Sequence, residues 1–206
     1  MRLLVDTDAF CKLAVCGLLK DAVRLLGVSW PECGRLPALP HMLRSGRLRK
    51  KYGDKNCELM LPVAESISPA PAPGDAWLEK LVPIEAIDPG EAQLFAAAAQ
   101  FEIMVMTGDK RALVALKNIA GFPTALEGRV VALEAALIAL CNHIGPDEIR
   151  HRLQPSMEKD QMIKICFSNP GSDPLECLRS YYYDLAGGVT PLVLWDPTGQ
   201  EVSNVV

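Results

Sequence analysis

Three segments of the chain bring a carboxylate to the end or start of an element. Leu3-Leu4-Val5 runs into Asp6, Asp88-Pro89-Gly90-Glu91 opens an alanine-rich stretch, and the apolar residues 104–106 lead through Thr107 and Gly108 to Asp109. In a sheet built from β-α units, strand ends lie along one edge, and ligands sit in the crevice beyond the carboxyl ends. Acids placed there crowd one another, and crowded carboxylates raise each other's pKa unless a cation neutralises them. An all-oxygen ligand set suits Mg²⁺ or Mn²⁺ rather than zinc. Each acid also has a local duty to weigh. Asp88 and Glu91 have the form of a capping box with Pro89 at the first helical position, Asp109 favours a helix start, and Asp8 fits the N-cap of a helix beginning at Ala9. Asp6 closes an apolar strand, where no cap is needed, and so points to chemistry.

The elements that must position these acids follow from apolar spacing. Residues 3–5 read as a buried strand and residues 9–26 as helix. Residues 27–40, with three prolines and two glycines, read as loop, and residues 62–76, with four prolines, as a surface loop. Alternation resumes with strand 81–87, helix 89–101, strand 103–106 and helix 109–118. Residues 121–126 supply one more short strand and residues 129–142 a further helix. These expectations make residues 1–144 one α/β unit. Residues 145–206 form a mostly helical appendage, with helical pieces at 146–154, 157–167 and 173–186 and an edge strand at 190–195. The appendage carries nine acids against five Lys and Arg, which suits packing on the first unit or on a second subunit more than gripping phosphate.

Basic charge is concentrated in one run. Arg44, Arg47, Arg49, Lys50, Lys51 and Lys55 face only Asp54, and without them the chain has 15 Lys and Arg against 24 Asp and Glu, a balance of −9. Such a run is a solvated face or a landing site for a phosphate backbone, with Tyr52 available to stack on a base. Lys110 and Arg111, beside Asp109, are placed to touch a phosphate. Tyr181, Tyr182 and Tyr183 read as packing residues, and His41, His143 and His151 lack metal-ligand spacing.

Half of the 206 residues are hydrophobic and 22% are charged, which excludes a disordered chain, and the net charge of −4 gives no general attraction to nucleic acid or anionic lipid. Seven cysteines without a C-x-x-C pair argue for reduced thiols rather than a disulfide framework or zinc ribbon. The apolar start is broken by Asp6, too early for a secretion signal, and no apolar run approaches the ~20 residues of a membrane span. A cytoplasmic protein is expected.

The segments LLVDTDAF, DPGEAQLFAAAA and IMVMTGDKRAL, in this order, resemble the PIN-domain nuclease family, including its toxin-like members, over about residues 1–130. The resemblance implies a PIN-like three-layer α/β/α fold with a central, mainly parallel sheet. It also implies a divalent-metal-dependent ribonuclease using Mg²⁺ or Mn²⁺ and leaving a 5′-phosphate. Asp6, Glu91 and Asp109 would be the catalytic acids and, with Asp8, the metal ligands, their carboxylates forming one coordinating cluster. Thr107 would hold the loop, while Lys110, Arg44, Arg47, Arg49, Lys50 and Lys51 would meet the substrate. RNA is the expected partner; a homodimer or an antitoxin-like protein is admitted, and no membrane association is.

The chain departs from the family where another acid is expected, at residues 40–48, which hold no carboxylate. Asp8, Glu58 or Glu65 is left to compensate; otherwise the chain is a catalytically degenerate PIN-like scaffold that binds nucleic acid. Asp6-Thr7-Asp8 and Thr107 also resemble motifs of haloacid-dehalogenase-like phosphatases, with Asp173 and Glu176 as the late acids. That reading requires an aspartyl-phosphate on Asp6.

Overall fold

The computed structural model describes residues 1–198; the last eight residues of the appendage lie outside the described part. The sheet has five strands in the order β3-β2-β1-β4-β5, every neighbouring pair parallel. They are β1 (Leu3–Val5), β2 (Cys33–Arg35), β3 (Ser68–Pro69), β4 (Met104–Thr107) and β5 (Val130–Ala132). Leu3 is in register with Cys33 on one side and Met104 on the other. β1 is therefore central and buried on both faces, which explains its unbroken apolar run.

The first half of the chain is folded into α1 (Thr7–Ala14), α2 (Leu19–Leu25), α3 (Leu39–Arg44), α4 (Arg47–Tyr52), α5 (Asp54–Glu65) and α6 (Asp75–Leu78). The second half contains α7 (Pro89–Phe101), α8 (Lys110–Leu116), α9 (Phe122–Ala125), α10 (Leu133–Ile144), α11 (Pro146–Arg152), α12 (Gln154–Met157), α13 (Gln161–Phe167) and α14 (Pro174–Gly188). α2 packs on both α1 and α10, and α7 packs on both α6 and α9. The architecture is α/β, consistent with three α/β/α layers. No described helix is long and apolar enough to cross a membrane.

Several elements depart from the sequence expectation, each for a physical reason. Residues 9–26 are two helices, because Gly17 turns the chain at φ +65. The stretch read as loop at 27–40 contains β2, and β2 pairs with β3 inside the proline-rich segment. α5 runs through Pro62 to Glu65; that proline and Glu58, whose carbonyl it cannot bond, are both exposed. Residues 81–87 form successive turns, not a strand. Ile84 N–H bonds the Leu81 carbonyl and Ile87 N–H the Ile84 carbonyl, so Leu81 and Ile87 both point inward. Residues 121–126 form α9, which Gly121 enters at φ +89 and whose Phe122 packs edge-on against Trp77. The expected helix at 129–142 is β5 followed by α10.

The appendage shares one apolar core with the rest of the chain. α14 packs along α10, and the Arg152 guanidinium on α11 pairs with Asp21 at 3.3 Å. Residues 190–195 add a single parallel bridge, Val130 to Leu194, rather than a strand. All seven cysteines are free, six of them buried.

Leu178 on α14 is fully buried in that shared core. Leu178→Ala is expected to lower stability by ~2–5 kcal/mol in urea unfolding of the whole chain, as a single cooperative transition. Destabilisation confined to a minor early phase would mean that the appendage melts by itself.

Candidate functional site

The chain builds β2 and β3 on one side of β1 and then crosses to β4 on the other, so its direction reverses between β1 and β4. A crevice forms at such a switch point, outside the carboxyl ends of the strands. A cavity of about 680 Å³ lies at these ends, and Asp6, Asp8, Asp88, Glu91 and Asp109 all line it. Leu36, Met42, Leu48 and Tyr52 supply apolar lining, and Arg47, Lys110 and Arg111 add positive charge to it.

Asp6 continues β1, its N–H donating to the Met106 carbonyl at 2.9 Å. It occupies the N-cap position of α1 without a side-chain capping bond; α1 starts at Thr7, so Asp8 lies in the first turn and is not the cap. Burial, with help from the Asp8 and Asp88 charges, pushes the Asp6 carboxyl up to about 7. Thr107 is fully buried and ties two acids together: its hydroxyl reaches the Asp6 carboxylate at 3.4 Å and accepts the Asp109 N–H at 3.1 Å.

Glu91 and Asp88 form the expected capping box. Asp88 Oδ1 accepts the Gly90 and Glu91 N–H groups, and Glu91 Oε2 accepts the Asp88 N–H at 2.9 Å. Glu91 is nonetheless buried, and burial together with the Asp109, Asp88 and Asp6 charges pushes its carboxyl up to about 8. The cap and the site therefore use one residue. Asp109 behaves oppositely. Burial works upward, but the N–H groups of Ala112 and Arg111 and the Arg111 guanidinium, 3.3 Å away, hold its carboxyl below the usual range.

Asp8 is engaged by cations on both oxygens, Oδ1 by Lys51 at 3.1 Å and Oδ2 by the buried Lys12. Lys12 also pairs with Asp160, the N-cap of α13, so a buried ion chain joins the site to the appendage. Sequence reasoning missed Lys12 and Asp160. The Asp8 and Lys12 spacing of four within a helix was the one signal present.

Other expected residues fall elsewhere. Lys110 lines the cavity, but its ammonium pairs with the buried Glu134 at 3.0 Å and lies over Tyr181. Arg44 pairs with Glu65, and Arg49 with Asp54 and Glu58. Glu58 and Glu65 do not line the cavity and do not replace the absent acid. Asp173 caps α14 and, like Glu176, lies outside the cavity lining. Arg47, Lys50 and Lys55 have no ion-pair partner among the described residues. Exposed pairs such as those of Arg44 and Arg49 contribute only ~0–1 kcal/mol, so a phosphate can exchange into them.

The donors fit a hard divalent cation in chemistry and charge: they are oxygens, and two of the carboxyls are displaced upward by burial and mutual crowding. The expected closed cluster does not form. Among the described residues no group of three or more Asp, Glu, His or Cys side chains is arranged to hold an ion as it stands. The acids share a cavity and feel one another's charge. No family model matches the chain, and no curated protein or solved structure matches it significantly.

Because Asp6 and Glu91 hold their protons to about 7 and about 8 when folded, well above the unfolded values, the folded state binds more protons. Their contribution to stability is complete below about pH 4 and is lost as pH rises to about 8. Thermal unfolding without divalent ions is expected to show this decline, and Asp6→Asn to flatten its lower part. A melting temperature that rises steadily over that range would contradict the assigned burial.

Proposed function

We propose that the chain is a divalent-metal-dependent ribonuclease of the PIN-domain kind. The observation that carries the reading is the meeting of Asp6, Glu91 and Asp109 in one cavity at the switch point of a parallel sheet, with two of the three carboxyls shifted toward neutrality. Asp6, Glu91 and Asp109 would hold Mg²⁺ or Mn²⁺. When bound, such an ion lowers the pKa of its water and stabilises charge on the phosphodiester. Thr107 keeps the Asp6 and Asp109 loops in fixed relation. Arg111 at the helix start and Arg47 on α4 would supply positive charge for the RNA backbone.

A second reading is a scaffold that binds RNA without cutting it. It is favoured by the absence of an acid in residues 40–48 and by the engagement of both Asp8 oxygens.

Cleavage of a labelled single-stranded RNA separates these readings. Mn²⁺-dependent hydrolysis suppressed by chelator is expected, and Asp6→Asn should reduce it by at least on the order of 100-fold. RNA binding without cleavage in the native chain would favour the scaffold.

Binding has its own test. Neutralising Arg47, Lys50 and Lys55 together is expected to weaken single-stranded RNA binding and to make the slope of log K against log salt shallower by about 0.7 for each phosphate no longer engaged. An unchanged slope would reduce the basic run to a solvated face.

A further inference from the structure

We propose that the Lys12 ammonium is a resident cation of the acid site, holding Asp8 in the role a second divalent ion would otherwise take, so that the cavity accepts one Mn²⁺ or Mg²⁺ and not two. The inference rests on the metal-dependent reading of the same cavity and makes its stoichiometry definite.

The placement of Lys12 is specific. It follows Asp8 by one helical turn on α1, and its ammonium lies between Asp8 Oδ2 and Asp160 Oδ2. Only 7% of its side-chain surface is exposed. A Cβ built on Gly108 would stand 3.3 Å from Asp8 Oδ2 and 3.6 Å from Lys12 Nζ, which puts the pair directly against the loop joining Thr107 to Asp109. The ammonium therefore sits against Asp8 and the turn that carries Asp109, just outside the cavity lining.

Its far partner is anchored as well. Asp160 Oδ1 accepts the Ile163 N–H at 2.9 Å as the cap of α13. The Ser156 hydroxyl donates to the Lys12 carbonyl at 2.9 Å, pinning the same turn of α1 from the appendage side. The ammonium has polar partners on two sides and buried surroundings, so it has no low-cost alternative position.

A second divalent ion needs its own oxygen ligands. Asp8 is the cavity acid nearest in sequence to Asp6 and the natural further ligand. Both its oxygens are already held, one by Lys51 and one by Lys12. An incoming ion would have to strip away the buried ammonium and then tolerate its charge at close range. Asp6 and Glu91 have no ion-pair partner among the described residues and Asp109 is paired only with the exposed Arg111, so these three remain for one ion.

Titration of the metal-free whole chain with Mn²⁺, followed by calorimetry and by the fall of the free-Mn²⁺ spin-resonance signal, tests this. The native chain is expected to bind one Mn²⁺. Asp8→Asn, which leaves the Lys12–Asp160 pair in place, should keep that single ion with affinity changed less than about threefold, whereas Asp6→Asn should lower affinity on the order of 10-fold or more. Lys12→Met, where it folds, should bind a second Mn²⁺ through the Asp8 oxygen that it frees. Two ions on the native chain, a 10-fold weakening in Asp8→Asn, or a folded Lys12→Met that still binds one ion would each overturn the inference while leaving the metal reading intact. No Mn²⁺ bound to the native chain would overturn both.

Discussion

Five carboxylates around a single cavity cannot all remain charged without compensation, and the surroundings of that cavity are three different answers to this constraint. Asp6 and Glu91 are answered by proton retention, their carboxyls displaced to about 7 and about 8. Asp88 and Asp109 are answered by backbone dipoles, each accepting two N–H groups at the start of a helix. Asp8 is answered by two lysines, one of them buried. Proton retention is the answer a cation can replace, because displacing a proton from Asp6 or Glu91 breaks no ion pair. Asp6 and Glu91 are thus available to a cation, Asp109 is available through the oxygen it shares only with the exposed Arg111, and Asp8 is held.

The fold makes this crowding by placing β1 at the centre. A strand flanked on both sides by parallel neighbours delivers its carboxyl end into the middle of the sheet edge, where β4 delivers Thr107 and its loop. Helix α7 contributes Glu91 through a cap that would be needed in any case. Function and local structure share residues here, which is why Glu91 makes a capping bond and still sits among the acids. The appendage enters through Asp160 and Ser156 on one side and, on the other, through Tyr181, whose ring lies under the Lys110 ammonium. It acts on the site by bracing it rather than by contributing a lining residue.

Much of this was legible in the chain itself where one local rule acted alone. The apolar run ended by Asp6, the Asp88 box with Pro89, and the hydroxyl of Thr107 each carried their meaning within a few residues. Legibility failed where a long-range partner decides. Cys33-Gly34-Arg35 is a strand because β1 lies beside it, although its own composition reads as loop. Residues 81–87 have strand-like content, yet Pro83 and the spacing of Leu81, Ile84 and Ile87 suit turns. Val130-Val131-Ala132 was absorbed into a helix because the following residues are strongly helical. Lys12 and Asp160 stand 148 positions apart, and no local pattern reveals that a buried lysine near the first strand is completed by a helix cap in the appendage.

The central strand is also the earliest strand in the chain, and its neighbours arrive late. Leu3–Val5 pairs with β2 about 30 residues on, but its other edge waits for Met104–Thr107. During synthesis at ~5–20 residues per second, that edge stays open for several seconds at least. Lys12 has Asp8 one turn away from the start, but its second counter-charge, Asp160, emerges after both strand partners. A nascent chain of this protein therefore holds an unfinished sheet and a half-compensated lysine together on the ribosome, and the ion pair that ties the acid site to the appendage can form only once Asp160 has emerged.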